Sequence, residues 1–153
     1  MSDHGYEPVC KLAVADAVDT FDCGQPALNQ FLQRYALVNQ RANSAQTYVC
    51  CKDGQVVGFY SLVVGSVEPG GVPARVMRGL ARHPVPVMIL ARLAVDRLHQ
   101  GKGLGRALLK DALLRTLQAA DIAGIRTVLV HAKDEAARKW YENCEFEASP
   151  SDP

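Results

Sequence analysis

Three glycines in five residues, Gly101, Gly103 and Gly105, separate an apolar run ending in Leu93-Ala94-Val95-Asp96 from a leucine-rich run that reaches Leu117. The first run reads as the end of a buried strand. The last reads as a helix, with Arg106, Lys110, Asp111, Arg115 and Gln118 on one face and leucines on the other. A strand that feeds a glycine turn and then a helix leaves main-chain N–H groups unpaired at the helix start. With the helix dipole, those groups suit a phosphate. The glycines lack Cβ atoms, so a ligand can approach the main chain closely.

The spacing excludes two common phosphate loops. A dinucleotide fingerprint needs a third glycine where Arg106 stands, and a P-loop needs Ser or Thr where Gly103 follows Lys102. What the stretch does fit is Gln/Arg-x-x-Gly-x-Gly/Ala, read as Gln100-Gly101-Lys102-Gly103-Leu104-Gly105. That pattern resembles the pyrophosphate loop of the GNAT superfamily of acetyl-CoA-dependent N-acyltransferases. The plainer alternative is a strand–loop–helix connection whose glycines only permit a tight turn.

A length of 153 residues suits one domain with a substantial core, and 48% apolar with 22% charged residues is ordinary for a soluble protein. No window approaches ~18 uninterrupted apolar residues, so no membrane span is expected. Asp3, Glu7, Lys11 and Asp16 leave no apolar core for a secretory signal. The five cysteines lack metal spacing, and Cys50-Cys51 should point to opposite faces of a strand. All five read as reduced packing residues of a cytosolic protein, with no metal. Net charge is +1, yet Arg75 to Arg106 holds seven Arg/Lys against one acid, Asp96, so this window carries +6 and the remainder −5. The asymmetry points to a polyanionic partner near the loop, or to arginines that serve the phosphate ligand or pair with distant acids.

In chain order, Tyr6 to Val14 reads as a first strand, Phe21-Asp22-Cys23-Gly24 as a turn, and residues 26–40 as an amphipathic helix with Leu28, Phe31, Leu32 and Tyr35 inward. Arg34 and Arg41 lie off that stripe. Thr47 to Cys51, the turn Asp53-Gly54 and Gln55 to Val64 read as a β-hairpin. Residues 66–85 are rich in glycine and proline and suit a mobile wall of a cleft, with a short helix over Val76 to Arg82. Val85 to Val95 and Thr127 to Val130 are buried strands. Gly124 suits a helix C-cap, and Asp134 caps a helix reaching Asn143.

The likeness extends past the loop. It includes Phe21-Asp22-Cys23-Gly24 with Leu28-Asn29-Gln30-Phe31-Leu32, then Thr47-Tyr48-Val49 and Gly58-Phe59-Tyr60-Ser61-Leu62. It continues with Arg82-His83-Pro84-Val85-Pro86-Val87, Ala91 to Asp96, Trp140-Tyr141-Glu142, Phe146 and Ser149-Pro150. Together these resemble one GNAT branch, the acetyltransferase toxins of bacterial type II toxin–antitoxin pairs. The resemblance implies an α+β GNAT fold over the whole chain, with a mixed, mostly antiparallel central sheet flanked by helices. It implies acetyl transfer from acetyl-CoA to the α-amino group of an aminoacyl-tRNA, which blocks translation. It also implies a homodimer and a ribbon-helix-helix antitoxin that covers the active site, DNA being reached only through that antitoxin. Acetylation of a small-molecule or protein amine is the second reading, and a non-catalytic acyl-CoA-binding module the third. Two departures stand out. Glu145 precedes Phe146 where the family has glycine, and the short remainder after Phe146 predicts a missing last strand.

By the same resemblance, Gln100, Gly101, Lys102, Gly103, Leu104, Gly105 and Arg106 hold the diphosphate of coenzyme A. Leu93, Ala94 and Val95 form the strand segment that pairs with its pantetheine arm, and a main-chain N–H near Val95 polarises the thioester carbonyl. Tyr141 is the candidate acid for the leaving thiolate, since a phenol of pKa about 10 is protonated at neutral pH. Its plain alternative is packing beside Trp140. Asp134, with Ala137 three residues on, is a further coenzyme contact or simply a helix cap. Arg75, Arg78, Arg82 and Arg92 are the tRNA candidates. His83, His99 and His131 read as structural, surface or tRNA-facing.

Overall fold

The computed structural model describes residues 5–67, 85–125, 127–130, 134–144 and 146. Its strands are β1 (Cys10–Lys11), β2 (Gln46–Lys52), β3 (Gln55–Val67), β4 (Val85–Val95) and β5 (Val128–Val130), in the sheet order β1-β2-β3-β4-β5. Its helices are α1 (Pro26–Gln30), α2 (Ala36–Arg41), α3 (Leu104–Ala123) and α4 (Glu135–Asn143). The class is α+β, as expected. The chain divides into two compact units, Met1–Val63 with Leu90–Leu114, and Val64–Ile89 with Arg115–Pro153.

In the first unit the β2–β3 hairpin forms around Asp53 (φ 53°) and Gly54 (φ 80°), both left-handed as a tight two-residue turn requires. Pairing is antiparallel from Gln46 with Leu62 to Lys52 with Gln55. Between Cys50 and Cys51 the register slips, because Cys50 pairs with Gly58 and Cys51 with Val56. Val57 is the extra residue of this β-bulge, and its carbonyl accepts the amide of Asp96 at 2.8 Å. The expected first strand shrinks to β1, which pairs with Val49 and Tyr48, plus a bridge from Tyr6 to Lys52. Pro8 sits between the two and has no N–H to give to a ladder.

The expected helix over 26–40 forms, starting with Pro26 at its first turn, but it is interrupted by a π-helical turn over Phe31–Tyr35. The Ala36 amide reaches back to Phe31. That extra residue per turn shifts the inward stripe by one position. Ala36 is fully buried, while Tyr35, expected inward, is half exposed. Arg34 and Arg41 are exposed, as expected. Phe31, Leu32 and Ala36 pack with Leu12, Phe21, Val49, Val56, Phe59 and Ala94. Phe59 is the centre of this core, edge-on to Phe21 at 5.5 Å and stacked with Phe31 at 6.2 Å.

The first turns of α3 bury Leu104, Leu108, Leu109 and Ala112. The face expected for this helix needs correcting. Asp111 does not stand in solvent but accepts the Tyr60 hydroxyl at 2.6 Å, while Leu113 and Leu114 are exposed. A tyrosine donor on β3 outweighed the solvation of one carboxylate.

In the second unit a Cβ on Gly65 would lie 2.7 Å from Ile89 Cδ1, so this glycine permits close strand contact. The Met88 amide donates to the Thr127 carbonyl at 3.0 Å. Gly124 (φ 68°) ends α3, its amide donating to Ala120, and the Asp134 side chain caps α4. The last turns of α3 bury Thr116 and expose Leu117. The expected helix over Val76 to Arg82, most of the expected cleft wall, the backbone of Glu145 and any strand after Phe146 lie outside the described residues. No helix among the described residues is long and apolar enough to cross a membrane.

Candidate active site

Where β4 ends, Asp96 turns the chain. Its Oδ1 accepts the Leu98 amide at 3.0 Å, its Oδ2 accepts the Asp22 amide at 3.0 Å, and its carbonyl accepts the His99 amide at 2.8 Å. These bonds fix a single 3₁₀ turn over Arg97–His99. Gln100 follows. Its Nε2 donates to the carbonyl of Val95 at 2.9 Å and to that of Cys23 at 3.3 Å. The side chain expected to help hold a diphosphate is therefore committed to bracing the corner itself.

Gly101 (φ 78°) and Gly103 (φ 82°) are left-handed, and a Cβ at either would meet nothing within 4 Å. Backbone conformation, not crowding, demands glycine at both. Buried Leu104 anchors the start of α3, and the Ala107 amide closes onto the Gly103 carbonyl at 3.1 Å. The amides just before Ala107 have no carbonyl one turn back. Open space over two glycines, unspent amides at a helix start and the exposed cations Lys102 and Arg106 fit a diphosphate. Leu93, Ala94 and Val95 lead into this corner; Ala94 is buried and the other two are half-buried.

Of the four arginines singled out for tRNA, Arg92 alone is described, and Arg75, Arg78 and Arg82 lie outside the described residues. The Arg92 guanidinium carbon sits 3.6 Å from the centroid of the Phe31 ring. Burial lowers its pKa from the ordinary arginine value. One face of this group is therefore held against the core.

Tyr141 belongs to the second unit, on α4, edge-on to Trp140 at 5.0 Å and to Phe146 at 5.5 Å. Burial, with a smaller contribution from Cys144, pushes its phenol up to about 12. Among the described residues no hydrogen bond reaches its hydroxyl. Asp134 Oδ1 accepts the Ala137 amide at 2.8 Å, so these two candidates serve each other as cap and capped residue. His99 is held by the Tyr6 hydroxyl, which lies 2.8 Å from Nδ1. His83 and His131 lie outside the described residues. Cys50 and Cys51 are buried packing residues, pushed up to about 11 and about 12 chiefly by burial. Cys10 departs from that expectation and is exposed.

Sequence reasoning gave no role to Asp22, Asn29, Gly58 or the Asp96 side chain. Asp22 and Asp96 carried a signal, since each precedes by two residues an amide it can accept. Gly58 acts through Leu104 and Leu108 on α3, and Asn29 through Asp22 and Cys23 across the turn before it, and neither carried one.

The acetyltransferase (GNAT) domain model matches residues 43–148. A tRNA-acetylating toxin of Mycobacterium tuberculosis (strain ATCC 25618 / H37Rv) is 47% identical over 149 residues, 97% of this chain and 89% of that one. The structure of AtaT complexed with acetyl-methionyl-tRNAfMet superposes with a TM-score of 0.87 at 28% identity, covering 93% of this chain and 87% of that one. A mutant AtaT toxin bound to the C-terminus of the antitoxin AtaR and to acetyl-CoA gives a TM-score of 0.79 at 29% identity, covering 93% and 84%.

Proposed function

The chain belongs to the GNAT acetyltransferase family, and on that premise we propose that it is a toxin. It transfers the acetyl group of acetyl-CoA to the α-amino group of an aminoacyl-tRNA and thereby blocks translation. Kinship with the mycobacterial tRNA-acetylating toxin carries the choice of acceptor. The glycine corner between Gln100 and Arg106 supports the choice of donor.

Acetyl-CoA supplies the acetyl group as an activated thioester. The amides from Gly101 to Arg106, with Lys102 and Arg106, hold its diphosphate, and the main chain of Leu93 and Val95 receives the pantetheine arm as an added strand would. A main-chain N–H near Val95 polarises the thioester carbonyl. An α-amine has a pKa of about 7.7–8.0, so a sizeable share is neutral at physiological pH. Direct attack thus needs no strong protein base. Tyr141, kept protonated by its raised pKa, donates its proton to the departing sulfur as the C–S bond breaks, and the proton that the amine loses on forming the amide passes through solvent and restores the phenol. Arg75, Arg78, Arg82 and Arg92 meet the tRNA backbone. The protein works in the cytoplasm as a homodimer and is neutralised by a ribbon-helix-helix antitoxin.

The test is incubation with acetyl-CoA and a pool of charged tRNAs, followed by identification of acetylated amino acids. Acetyl label on one or more aminoacyl-tRNAs is expected. Label on small-molecule or protein amines with none on tRNA contradicts the proposed acceptor.

A further inference from the structure

Residues 21–25 form a turn far from the glycine corner in sequence, yet the main-chain N–H and C=O groups of Asp22 and Cys23 are all spent on that corner or on keeping the turn's own shape. The Asp22 amide donates to Asp96 Oδ2 at 3.0 Å, and the Asp22 carbonyl accepts the Arg97 amide at 2.8 Å. The Cys23 carbonyl accepts Gln100 Nε2 at 3.3 Å. Three bonds therefore run from two consecutive residues to Asp96, Arg97 and Gln100, the residues that carry the chain from β4 into the loop.

Side chains hold the turn in the conformation that makes those bonds possible. Asp22 Oδ1 accepts the Gly24 amide at 2.9 Å and Asn29 Nδ2 at 3.0 Å, while Asn29 Oδ1 accepts the Cys23 amide at 2.9 Å. Gly24 (φ 90°) takes a conformation that L side chains rarely adopt, and a Cβ there would lie 3.5 Å from Arg97 Cδ. Asp22 Oδ2 lies 3.3 Å from Arg97 Nη2, a pair open to solvent and worth little by itself.

We infer that Asp22 and Asn29 are positioning residues for coenzyme A: they lock the 21–25 turn, which in turn clamps the Val95–Gln100 corner and so aims the loop amides at the diphosphate. Neither touches the ligand. This rests on the acetyl-CoA-dependent reading above, and it adds a requirement that the loop motif alone does not state. The Gly24 amide and Asn29, helped by Arg97, hold the Asp22 carboxyl below the ordinary aspartate range, so the clamp is an anion at working pH.

The test compares Asp22→Ala, Asn29→Ala and the conservative Asp22→Asn with the parent chain. Coenzyme A binding is read by calorimetry, and KM for acetyl-CoA and for the acceptor are read separately from kcat. Asp22→Asn keeps an oxygen for Gly24 and Asn29 and loses only the solvent-exposed pair with Arg97. The alanine variants are expected to weaken coenzyme A binding by about tenfold, the scale of one or two lost hydrogen bonds. They should raise KM for acetyl-CoA alike, leaving acceptor KM and saturated kcat within about twofold, and Asp22→Asn should restore most of the affinity. Alanine variants that melt earlier but bind coenzyme A as the parent does overturn the inference, as do equal losses for both substrates. A parent chain that binds no coenzyme A overturns the acetyltransferase reading instead, so the two failures are distinct.

Discussion

Gly58 lies directly beneath Leu108: a Cβ at this strand position would stand 2.9 Å from Leu108 Cδ1, 3.4 Å from Leu104 Cδ2 and 3.5 Å from the Ala94 carbonyl. The hydrogen on its Cα is what lets the first two turns of α3 settle onto β3 beside the end of β4. The start of the helix, and with it the glycine turn that precedes it, is therefore placed by a missing side chain one strand away.

Gly58→Val tests that placement. The added isopropyl group meets the same leucines and the Ala94 carbonyl, so stability should fall by about 1–3 kcal/mol, the usual cost of overpacking. Coenzyme A affinity should fall with it, because the helix start moves. Thermal melting and calorimetry check both. An unchanged melting temperature would show that α3 is not seated on Gly58.

Gly103→Ala isolates conformation from crowding, since nothing lies within 4 Å of the added Cβ. Holding alanine at φ near 82° costs roughly 1–2 kcal/mol. The loop can escape that cost by relaxing, and in doing so it should lose about tenfold in coenzyme A affinity with only a small change in melting temperature. Full affinity with unchanged stability would mean that the left-handed turn is not needed for binding.

The fold was legible where local rules decide it. β4, the hairpin turn at Asp53-Gly54, the C-cap at Gly124 and the N-cap at Asp134 stand where periodicity and turn chemistry put them. The glycine turn before α3 was legible for the same reason, since its glycines and the helix after it are contiguous. What was hidden depends on distant partners. Tyr60 draws Asp111 inward, and the turn at Asp22 is bound to residues more than seventy positions away. No window of sequence contains both halves of such a contact.

Tyr141 sets a pH dependence. Its phenol is pushed up to about 12 in the folded chain, against about 10 unfolded. The unfolded chain therefore loses this proton first, so the stability that Tyr141 contributes is complete below pH about 10 and is lost as pH rises toward 12. In the catalytic profile, kcat should rise through the amine pKa and show no phenol-limited decline below pH about 10. Tyr141→Phe should cut kcat by about 100-fold or more while coenzyme A still binds, in line with loss of a general acid. A rate unchanged in the phenylalanine variant would remove Tyr141 from the chemistry.

Thiol labelling separates the cysteines. At pH 8 Cys10, exposed on β1, should react with a maleimide within minutes. Cys50 and Cys51, pushed up to about 11 and about 12, should stay unlabelled until the chain unfolds. Mass mapping of labelled peptides checks this, and rapid native labelling of Cys50 or Cys51 would contradict their burial in the β2 ladder.

The central claim is that bare main-chain amides between Gly101 and Arg106 carry the coenzyme's diphosphate. A crystal structure of this chain with coenzyme A tests it directly. The account predicts diphosphate oxygens at hydrogen-bonding distance, about 2.7–3.2 Å, from several of those amides. A diphosphate seated elsewhere, with these amides facing only solvent, would contradict it.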